Sequence, residues 1–220
     1  MDKFKINGPS KIRGEVSISG SKNAALPILA ATLLFDKNVT IKNLPRVKDI
    51  DTMLNLLKSL GKKISFKNNK KIATISKGKK NNFFAPYSLV KTMRAGILVL
   101  GPLLAKNKKA KVSSPGGCSI GVRPIDIHLK AISKLGVKIQ IEKGYVNAKA
   151  QEGLVGSEIR FSKISVGATE NLILAACLAK GITTIKNCAI EPEIKDLTNF
   201  LKTAGAKTVS YTHLTLPTNC

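Results

Sequence analysis

The sequence lacks tryptophan and has few acidic residues, and these shortages narrow the classes of protein that it can belong to. Its 220 residues include 13 Asp and Glu against 37 Lys and Arg, giving a formal net charge of +24. The aromatic residues are 7 Phe and 3 Tyr, and they do not alternate with the lysines as base stacking on single strands requires. The charge therefore favours a lysine-rich surface that attracts small anions such as phosphorylated substrates. Binding of nucleic acid, which we expect to be weak and unspecific, is the competing interpretation.

Cysteine and histidine are too few and too scattered for a metal or disulfide framework. The four cysteines, Cys118, Cys177, Cys188 and Cys220, form no C-x-x-C pair, and the two histidines are not clustered. We therefore expect reduced thiols and no metal site. Cys177 lies in the apolar run 172–178, which predicts a buried core thiol.

Long hydrophobic runs are also lacking. The longest, at 24–35 and 95–105, are shorter than the roughly 18 to 20 residues that cross a bilayer. Residues 1–9 have no apolar stretch or cleavage site typical of a secretory signal. We therefore expect a cytoplasmic protein without a membrane span. The hydrophobic fraction of 43% is typical of a globular domain with a buried core.

An internal repeat predicts the architecture. The sequence TIKN at 40–43 recurs at 184–187, and the pattern LKxxG at 57–61 recurs at 201–205, both at an offset of 144 residues. A similar helix end lies halfway between them, at 129–139. The period of about 72 residues suits an α/β module repeated three times.

Each copy is predicted to begin with a strand such as 15–18, followed by an apolar helix and a short strand such as 39–41. The predicted apolar helices are 24–34, 89–104 and 172–178. In the middle copy a second helix begins after Pro124 and ends at Gly136. Its apolar face consists of Ile125, Leu129, Ile132 and Leu135. Hairpins are then predicted from 64–66 and 72–75 around Asn68-Asn69, and from 137–141 and 145–148 around Lys143-Gly144.

Three polar clusters could carry chemistry. In the first, Ser21 can cap the following helix, whose positive end binds anions, and Lys22 adds a point charge. The second is Arg94, one of five arginines, a residue type suited to bidentate phosphate recognition. The local sequence alone also allows an ordinary capped helix with an exposed lysine, and a helix-edge arginine that extends its charge into solvent.

The third cluster is the Gly-rich loop 116–124, which holds Cys118 and an arginine, Arg123, kept extended by Pro124. A nearby cation such as Arg123 or Lys22 favours the thiolate. A thiol in this setting can act as an acid or a nucleophile. The alternative is a free surface cysteine in a turn.

Taken together in this order, the clusters resemble those of the UDP-N-acetylglucosamine 1-carboxyvinyltransferase family, the enolpyruvyl transferases of peptidoglycan synthesis. The resemblance runs from Lys3 to about Val209. It includes GSKNAALP at 20–27, PGGCSIGVRPIDIH at 115–128, KISVGAT at 163–169 and EPEI at 191–194. It implies an α/β fold (α+β in some schemes) in which each of two similar domains consists of three βαβαββ modules, an inverse α/β barrel.

The resemblance also implies an activity and roles for residues. The enolpyruvyl group of phosphoenolpyruvate would move to the 3-hydroxyl of UDP-N-acetylglucosamine, with no cofactor and no metal. Cys118 would be the proton donor to the enolpyruvyl methylene carbon and the fosfomycin target. Lys22 and Asn23 would contact phosphoenolpyruvate, Arg123 would lie between both ligands, and His128 is a possible supporting residue. The UDP-sugar would be held by Arg94, Arg123, Pro124, Ile125, Asp126, Ile127, Lys163, Ile164, Ser165 and Val166.

The chain departs from the family in length, because family members are about twice as long. We expect residues 1–21 to be a strand segment of a second domain, 22–209 to be the first domain, and 210–220, which contain no lysine, to be a non-native tail. The family's aspartate base and several phosphate-binding arginines lie in the second domain, so this chain alone is expected to be inactive.

Two further hypotheses stay open. The shikimate-pathway enolpyruvyl transferase shares the fold and phosphoenolpyruvate chemistry, but not the Cys118 loop. The chain could also be a non-catalytic half-domain that binds a UDP-sugar.

Overall fold

The helices and strands follow one another in the order that the repeat predicts. The computed structural model describes residues 3–11, 13–79, 82–114 and 125–209, together with the backbone of residues 215 and 216. In chain order the elements are α1 (Lys22–Ala31), β1 (Val39–Ile41), α2 (Lys48–Ser59), β2 (Lys62–Lys67), β3 (Ile72–Lys77), β4 (Phe84–Ala85), α3 (Tyr87–Val90), α4 (Leu100–Asn107), β5 (Lys109–Ser113), α5 (Asp126–Ser133), β6 (Lys138–Glu142), β7 (Tyr145–Lys149), β8 (Glu158–Arg160), α6 (Val166–Ala176), β9 (Thr183–Lys186), α7 (Pro192–Thr203) and β10 (Thr215–Leu216). Short 3-10 helices occupy Thr32–Leu34 and Arg94–Val99.

Three sheets repeat one arrangement of strands. In the first sheet β3 lies between β1 and β2 and is antiparallel to both. In the second sheet β7 lies in the same way between β5 and β6, and β4 adds in parallel to β5. In the third sheet β8 adds in parallel to β9, and β10 pairs antiparallel with β9. The stretch from β4 to β7 is therefore a complete βαβαββ module, and the predicted α/β class is confirmed.

The predicted strand at 15–18 is not formed among the described residues. Val16 and Ile18 are 85% and 81% exposed. Within the described part of the chain, β1 has no partner on the side where β5 pairs with β4 and β9 pairs with β8. A strand requires a hydrogen-bonded neighbour, so this prediction fails for the described chain. The origin of residues 210–220 stays a prediction, although the backbone of residues 215 and 216 pairs with β9.

The predicted helix at 89–104 is also wrong, because the structure divides it. α3 ends at Val90, a 3-10 helix follows at Arg94–Val99, and α4 begins at Leu100. One continuous helix would place Pro102 in its interior, where proline lacks the N–H that the helix needs. Restarting at Leu100 puts Pro102 in the first turn of α4, where that N–H has no helical partner in any case.

The predicted ends of the second helices and the predicted hairpins are confirmed. Gly136 follows α5 with a left-handed φ of +84°, and Gly61 and Gly205 have φ values of +98° and +99° at the corresponding places after α2 and α7. The turn between β6 and β7 places Lys143 and Gly144 at φ values of +48° and +76°. This is the backbone of a two-residue hairpin turn matched to the twist of the strands.

The helices form the core, and α6 lies at its centre. Residues 168–176 of α6 are all buried, and α6 packs against α1, α4, α5 and α7. The sheets turn alternate residues toward the helices, as in β3, where Ala73 and Ile75 are buried. The first turns of α1 and α6 are left at one end of this helical layer, beside the 3-10 helix at Arg94–Val99.

Candidate functional site

A cavity of about 810 Å³ opens where the first turns of α1 and α6 meet the 3-10 helix at Arg94–Val99. Many of the side chains that the sequence singled out line this cavity. They are Lys22, Asn23, Arg94, Ile127, His128, Lys163, Ile164, Ser165 and Val166. Clusters that are far apart in the sequence therefore share one space, while their contacts with a ligand stay predictions.

The start of α1 presents Lys22 and Asn23 to the cavity. Ser21 is the N-cap, as predicted, and its Oγ accepts a hydrogen bond from the backbone N–H of Ala24 at 3.4 Å. Lys22 Nζ lies 2.8 Å from Asp49 Oδ2 at the start of α2. Pro27 lies within α1, and because it has no N–H it cannot donate to the carbonyl of Asn23.

The start of α6 supplies a second helix N-terminus to the cavity. Ser165 caps it, with its Oγ accepting from the N–H of Ala168 at 3.3 Å. Lys163 and Ile164 precede the cap and are exposed. The N–H groups of the first helical turn have no partner within the helix, so they and the helix dipole make this wall favourable to anions.

Arg94 begins the 3-10 helix that also lines the cavity. It is exposed, and the break between Val90 and Leu100 places it beside the cavity rather than on one long helix. Gly96 permits this packing, since a Cβ there would lie 3.1 Å from Val90 Cγ1. With Lys22 and Lys163, Arg94 gives the cavity three cationic side chains.

His128 is buried on the α5 side of the cavity, with 5% of its surface exposed. Its Nδ1 lies 3.3 Å from Asn171 Nδ2. Its Cε1–Nε2 edge packs on Gly167, where a Cβ would lie 3.3 Å from Cε1 and 3.5 Å from Nε2. Burial, and then the positive charge of Arg94, lower the pKa of His128 to about 4, so the ring is uncharged at neutral pH.

Acidic residues form another part of the wall, and sequence reasoning missed them as a group. Asp49, Glu170 and Glu193 all line the cavity. Glu170 is only 5% exposed, and its pKa is raised to about 8, mainly by burial and next by Glu193, although Arg94 acts in the opposite direction. The available signal was a polar stretch, Thr169-Glu170-Asn171, in the middle of the apolar helix α6.

Residues 6–215 match the protein family described as EPSP synthase (3-phosphoshikimate 1-carboxyvinyltransferase). The chain belongs to this family. The enolpyruvyl transferase NikO from Streptomyces tendae, a solved structure, matches 89% of this chain and 45% of its own with a TM-score of 0.75 and 20% identity, which supports the shared fold. Membership of the EPSP synthase family confirms the resemblance to enolpyruvyl transferases inferred from the sequence.

Within the EPSP synthase family, two similar curated relatives are named UDP-N-acetylglucosamine 1-carboxyvinyltransferase. The one from Pelagibacter ubique (strain HTCC1062) is 66% identical over 205 residues, which cover 93% of this chain and 49% of the relative. The one from Acinetobacter guillouiae is 55% identical over 207 residues, which cover 94% of this chain and 49% of the relative. The chain thus spans about half the length of the curated relatives it matches.

Some residues of this chain that were predicted to bind a ligand do not line the cavity in the structure. Ile125 is half-buried and Asp126 is exposed at the start of α5, but neither lines the cavity. Cys118, Arg123 and Pro124 lie outside the described residues, so their predicted roles are untested.

The remaining expectations concern thiols, metals and membranes. Cys188 is buried at 7% exposure. Cys177, predicted to be a buried core thiol, packs against the core but is only half-buried, because it follows the last residue of α6. Burial raises the pKa of Cys177 to about 12. In the part of the chain that the structure describes, no His, Cys, Asp and Glu side chains are grouped as a metal site requires, and no helix is long and apolar enough to cross a membrane.

Proposed function

We propose that the protein containing this chain transfers the enolpyruvyl group of phosphoenolpyruvate to the 3-hydroxyl of UDP-N-acetylglucosamine and releases phosphate. This is the first committed step of peptidoglycan synthesis and hence of cell-wall biogenesis, and it places the protein in the cytoplasm. The observation that carries the proposal is the shared cavity of Lys22, Arg94 and Lys163, in a chain 66% identical to a relative with that name.

The cavity suits two anionic substrates. Lys22, Arg94 and Lys163 provide positive charge, and the first turns of α1 and α6 provide N–H groups and the positive ends of two helix dipoles. In this proposal Lys22 and Asn23 hold phosphoenolpyruvate together with Arg123. The UDP-sugar lies against Arg94, residues 123–127 and residues 163–166.

The proposed chemistry assigns Cys118 the proton donor role. Protonation of the methylene carbon of phosphoenolpyruvate makes the neighbouring carbon electrophilic, and the 3-hydroxyl of the sugar attacks it while losing its proton to a base. The resulting tetrahedral intermediate expels phosphate and loses a methyl proton, which restores the double bond. Fixed cations such as Lys22 and Arg123 stabilise the charge on the departing phosphate.

The proposed division into domains follows from exposed apolar side chains in residues 1–21. Phe4, Ile6, Val16 and Ile18 are all more than 80% exposed, and side chains of this kind are covered when a segment joins a sheet. We propose that this segment joins a second domain of the same protein, that 22–209 form the first domain, and that 210–220 are a non-native tail. Sequencing the source gene past codon 209 tests the tail, because a native reading frame through 210–220 contradicts it.

Titration calorimetry of the purified chain with UDP-N-acetylglucosamine tests the assignment. We expect the wild type to bind this sugar nucleotide and Arg94→Ala to bind it at least about tenfold more weakly, a loss of about 1.4 kcal/mol. Arg160→Ala is the matched control, because Arg160 is an exposed arginine on β8 that does not line the cavity. Equal affinity of wild type and Arg94→Ala contradicts the proposed site.

An assay of phosphate release addresses turnover. The chain spans 49% of its relatives, and we propose that the remaining residues of such a protein complete the site, so we expect no appreciable release from the two substrates. Release that Cys118→Ala abolishes shows instead that these residues suffice for catalysis.

The family description supports one competing function. Because the matching family is described as 3-phosphoshikimate 1-carboxyvinyltransferase, shikimate 3-phosphate is the necessary second ligand in the calorimetry. Binding of shikimate 3-phosphate without binding of UDP-N-acetylglucosamine favours that function over ours. Binding of the sugar nucleotide by a full-length protein that transfers nothing favours a non-catalytic binding domain.

A further inference from the structure

Asn171 is a fully buried amide in the middle of the apolar helix α6, with 0% of its surface exposed. Its side-chain oxygen Oδ1 accepts a hydrogen bond from the backbone N–H of Gly101 at 2.7 Å. Its nitrogen Nδ2 donates to the carbonyl of Ile97 at 3.0 Å. The same nitrogen lies 3.3 Å from Nδ1 of His128. The amide thus links α6 to the 3-10 helix, to α4 and to α5.

These partners fix which way the amide points. The backbone N–H of Gly101 can only donate, so the atom that faces it is the oxygen of Asn171. The carbonyl of Ile97 can only accept, so the atom that faces it is the nitrogen. With the amide oriented in this way, an N–H of Asn171 points at Nδ1 of His128. This ring nitrogen must therefore be unprotonated, so that its lone pair accepts the hydrogen bond.

A neutral histidine that accepts at Nδ1 carries its hydrogen on Nε2. That edge of the ring packs on Gly167, a residue that lines the cavity, as His128 does. We infer that Asn171 is a positioning residue, which holds His128 in the Nε2–H tautomer so that this N–H is presented to the cavity as an uncharged donor for an acceptor oxygen of the ligand.

The surroundings keep the ring neutral. A proton added at Nδ1 would point at the N–H of Asn171, and burial and Arg94 lower the pKa of His128 to about 4. Charged groups of both signs line the same cavity from several elements. They are Lys22, Asp49, Arg94, Lys163, Glu170 and Glu193. The cavity therefore combines charged side chains with one neutral donor of fixed direction.

The identity of the ligand rests on the proposed function. The N–H of His128 lies beside the first turn of α6, where Ser165 and Gly167 also line the cavity. A helix N-terminus with an adjacent N–H donor suits a phosphate oxygen, and the sugar nucleotide supplies such oxygens. A hydrogen bond from the neutral ring would hold this oxygen in position without adding charge to the site.

Imidazole signals in a long-range 1H–15N correlation spectrum test the tautomer directly, without any ligand. The other histidine of the chain is His213, so His128→Gln assigns the signals. From about pH 5.5 to about pH 8 we expect His128 to show hydrogen on Nε2 and none on Nδ1, since its pKa is well below the ordinary 6.5. A dominant Nδ1–H tautomer, or titration near pH 6.5, overturns the inference.

Substitutions of Asn171 test its role. In Asn171→Asp the carboxylate can only accept, so the hydrogen of His128 should move to Nδ1 and the pKa of the ring should rise. If Asn171→Asp does not fold, as judged by circular dichroism, Asn171→Ala decides in its place, because loss of the donor should give a mixture of tautomers. Thr32→Val is the control. Thr32 is also a buried polar residue, but its hydroxyl donates to the nearby carbonyl of Leu29, so its loss should leave the histidine spectrum unchanged. An unchanged tautomer in the folded Asn171 variants overturns the positioning role.

UDP-N-acetylglucosamine added to the wild type tests the donor role. We expect the Nε2–H signal of His128 to move, His128→Ala to lose about tenfold in affinity, and His128→Gln to recover part of that loss through its amide N–H. Binding that leaves the Nε2–H signal and the affinity of His128→Ala unchanged overturns the donor role. If the nucleotide moves no signal from the cavity residues, the proposed function is contradicted, while the tautomer still decides the role of Asn171.

Discussion

Lys22 Nζ lies 2.8 Å from Asp49 Oδ2, and this ion pair joins the first turn of α1 to the first turn of α2 at the edge of the cavity. The side chains of Lys22 and Asp49 are 46% and 35% exposed. Water and salt screen a pair exposed to this extent, so it contributes at most about 1 kcal/mol to the free energy of unfolding. The ion pair holds the ammonium group at the wall of the cavity.

Lys22→Met should therefore separate stability from binding. We expect urea denaturation to show a change of less than about 1 kcal/mol in the free energy of unfolding. Calorimetry with phosphoenolpyruvate, in the presence of UDP-N-acetylglucosamine, should show at least about tenfold weaker binding, because the variant would lose the charge-assisted hydrogen bond that we propose Lys22 makes to the ligand.

Lys186→Met provides the matched control for this lysine. Lys186 forms a comparable exposed ion pair with Glu158, at 2.6 Å, on the third sheet, and it does not line the cavity. Lys186→Met should have the same small effect on the free energy of unfolding and leave the affinity for phosphoenolpyruvate unchanged. If Lys186→Met weakens binding as much as Lys22→Met does, the loss reflects the net charge of the protein, and the assigned role of Lys22 is wrong.

Glu170 should make the stability of the protein fall as pH rises. Its pKa is raised from 4.5 to about 8 in the folded chain, whereas an unfolded glutamate ionises near its ordinary value. Between about pH 4.5 and about pH 8 the folded state holds a proton that the unfolded state has released, so each rise in pH favours unfolding. Below that window the group makes no pH-dependent contribution.

Urea denaturation of wild type and Glu170→Gln across this range measures the effect. The variant should gain stability relative to the wild type by a few kcal/mol as pH rises, on the order of 5 kcal/mol if the whole shift is realised. Glu152→Gln, which removes an exposed carboxylate outside the cavity, corrects for the change in net charge. A difference that stays constant with pH shows that Glu170 is already ionised in the folded protein at low pH.

Gly101→Ala should test the close contact between α4 and α6. A Cβ at Gly101 would lie 2.3 Å from the carbonyl oxygen of Asn171 and 2.6 Å from its Oδ1. Helix backbone cannot yield as a flexible side chain can, so we expect a loss of about 2 to 4 kcal/mol in the free energy of unfolding by urea denaturation.

Gly136→Ala is the comparison for a purely conformational cost. Gly136 has a φ of +84° with no atom within 4 Å of a Cβ. Alanine there should lower the free energy of unfolding only by the strain of its left-handed backbone, about 1 kcal/mol. Equal losses for the two variants would mean that the α4–α6 contact relaxes without cost.

The modular fold was predictable because local rules and the repeat agree. Gly136 ends α5 because its φ is left-handed, and Lys143-Gly144 forms the β6–β7 turn for the same reason. The helix break after Val90 could not be predicted from the apolar pattern, which continues through 95–105. It accompanies the close packing of Gly96 against Val90, a tertiary contact that the apolar pattern does not show.

The site was predictable only in part. Lys22, Arg94 and Lys163 were found from motifs, and only the resemblance to a known family, not spacing or periodicity, implied that they share one site. Glu170 and Asn171 lie before the helix predicted at 172–178 and carried no predicted role. The role of Asn171 depends on Gly101 and Ile97, which approach it only in the folded chain. Tertiary contacts of this kind leave no local pattern to read.

Thiol labelling should distinguish the core cysteines from the predicted reactive one. Burial raises the pKa of Cys177 to about 12 and also raises that of Cys188, so neither has an appreciable thiolate fraction near neutral pH. In the native protein a disulfide reagent at about pH 7.5 should therefore react slowly at both positions. If Cys118 is the proton donor, a rapidly reacting thiol should disappear in Cys118→Ala and persist in Cys220→Ser, as peptide mass spectrometry can show. Rapid labelling of Cys177 in the folded chain would mean that this half-buried thiol at the end of α6 is accessible and ionises readily, which contradicts the raised pKa.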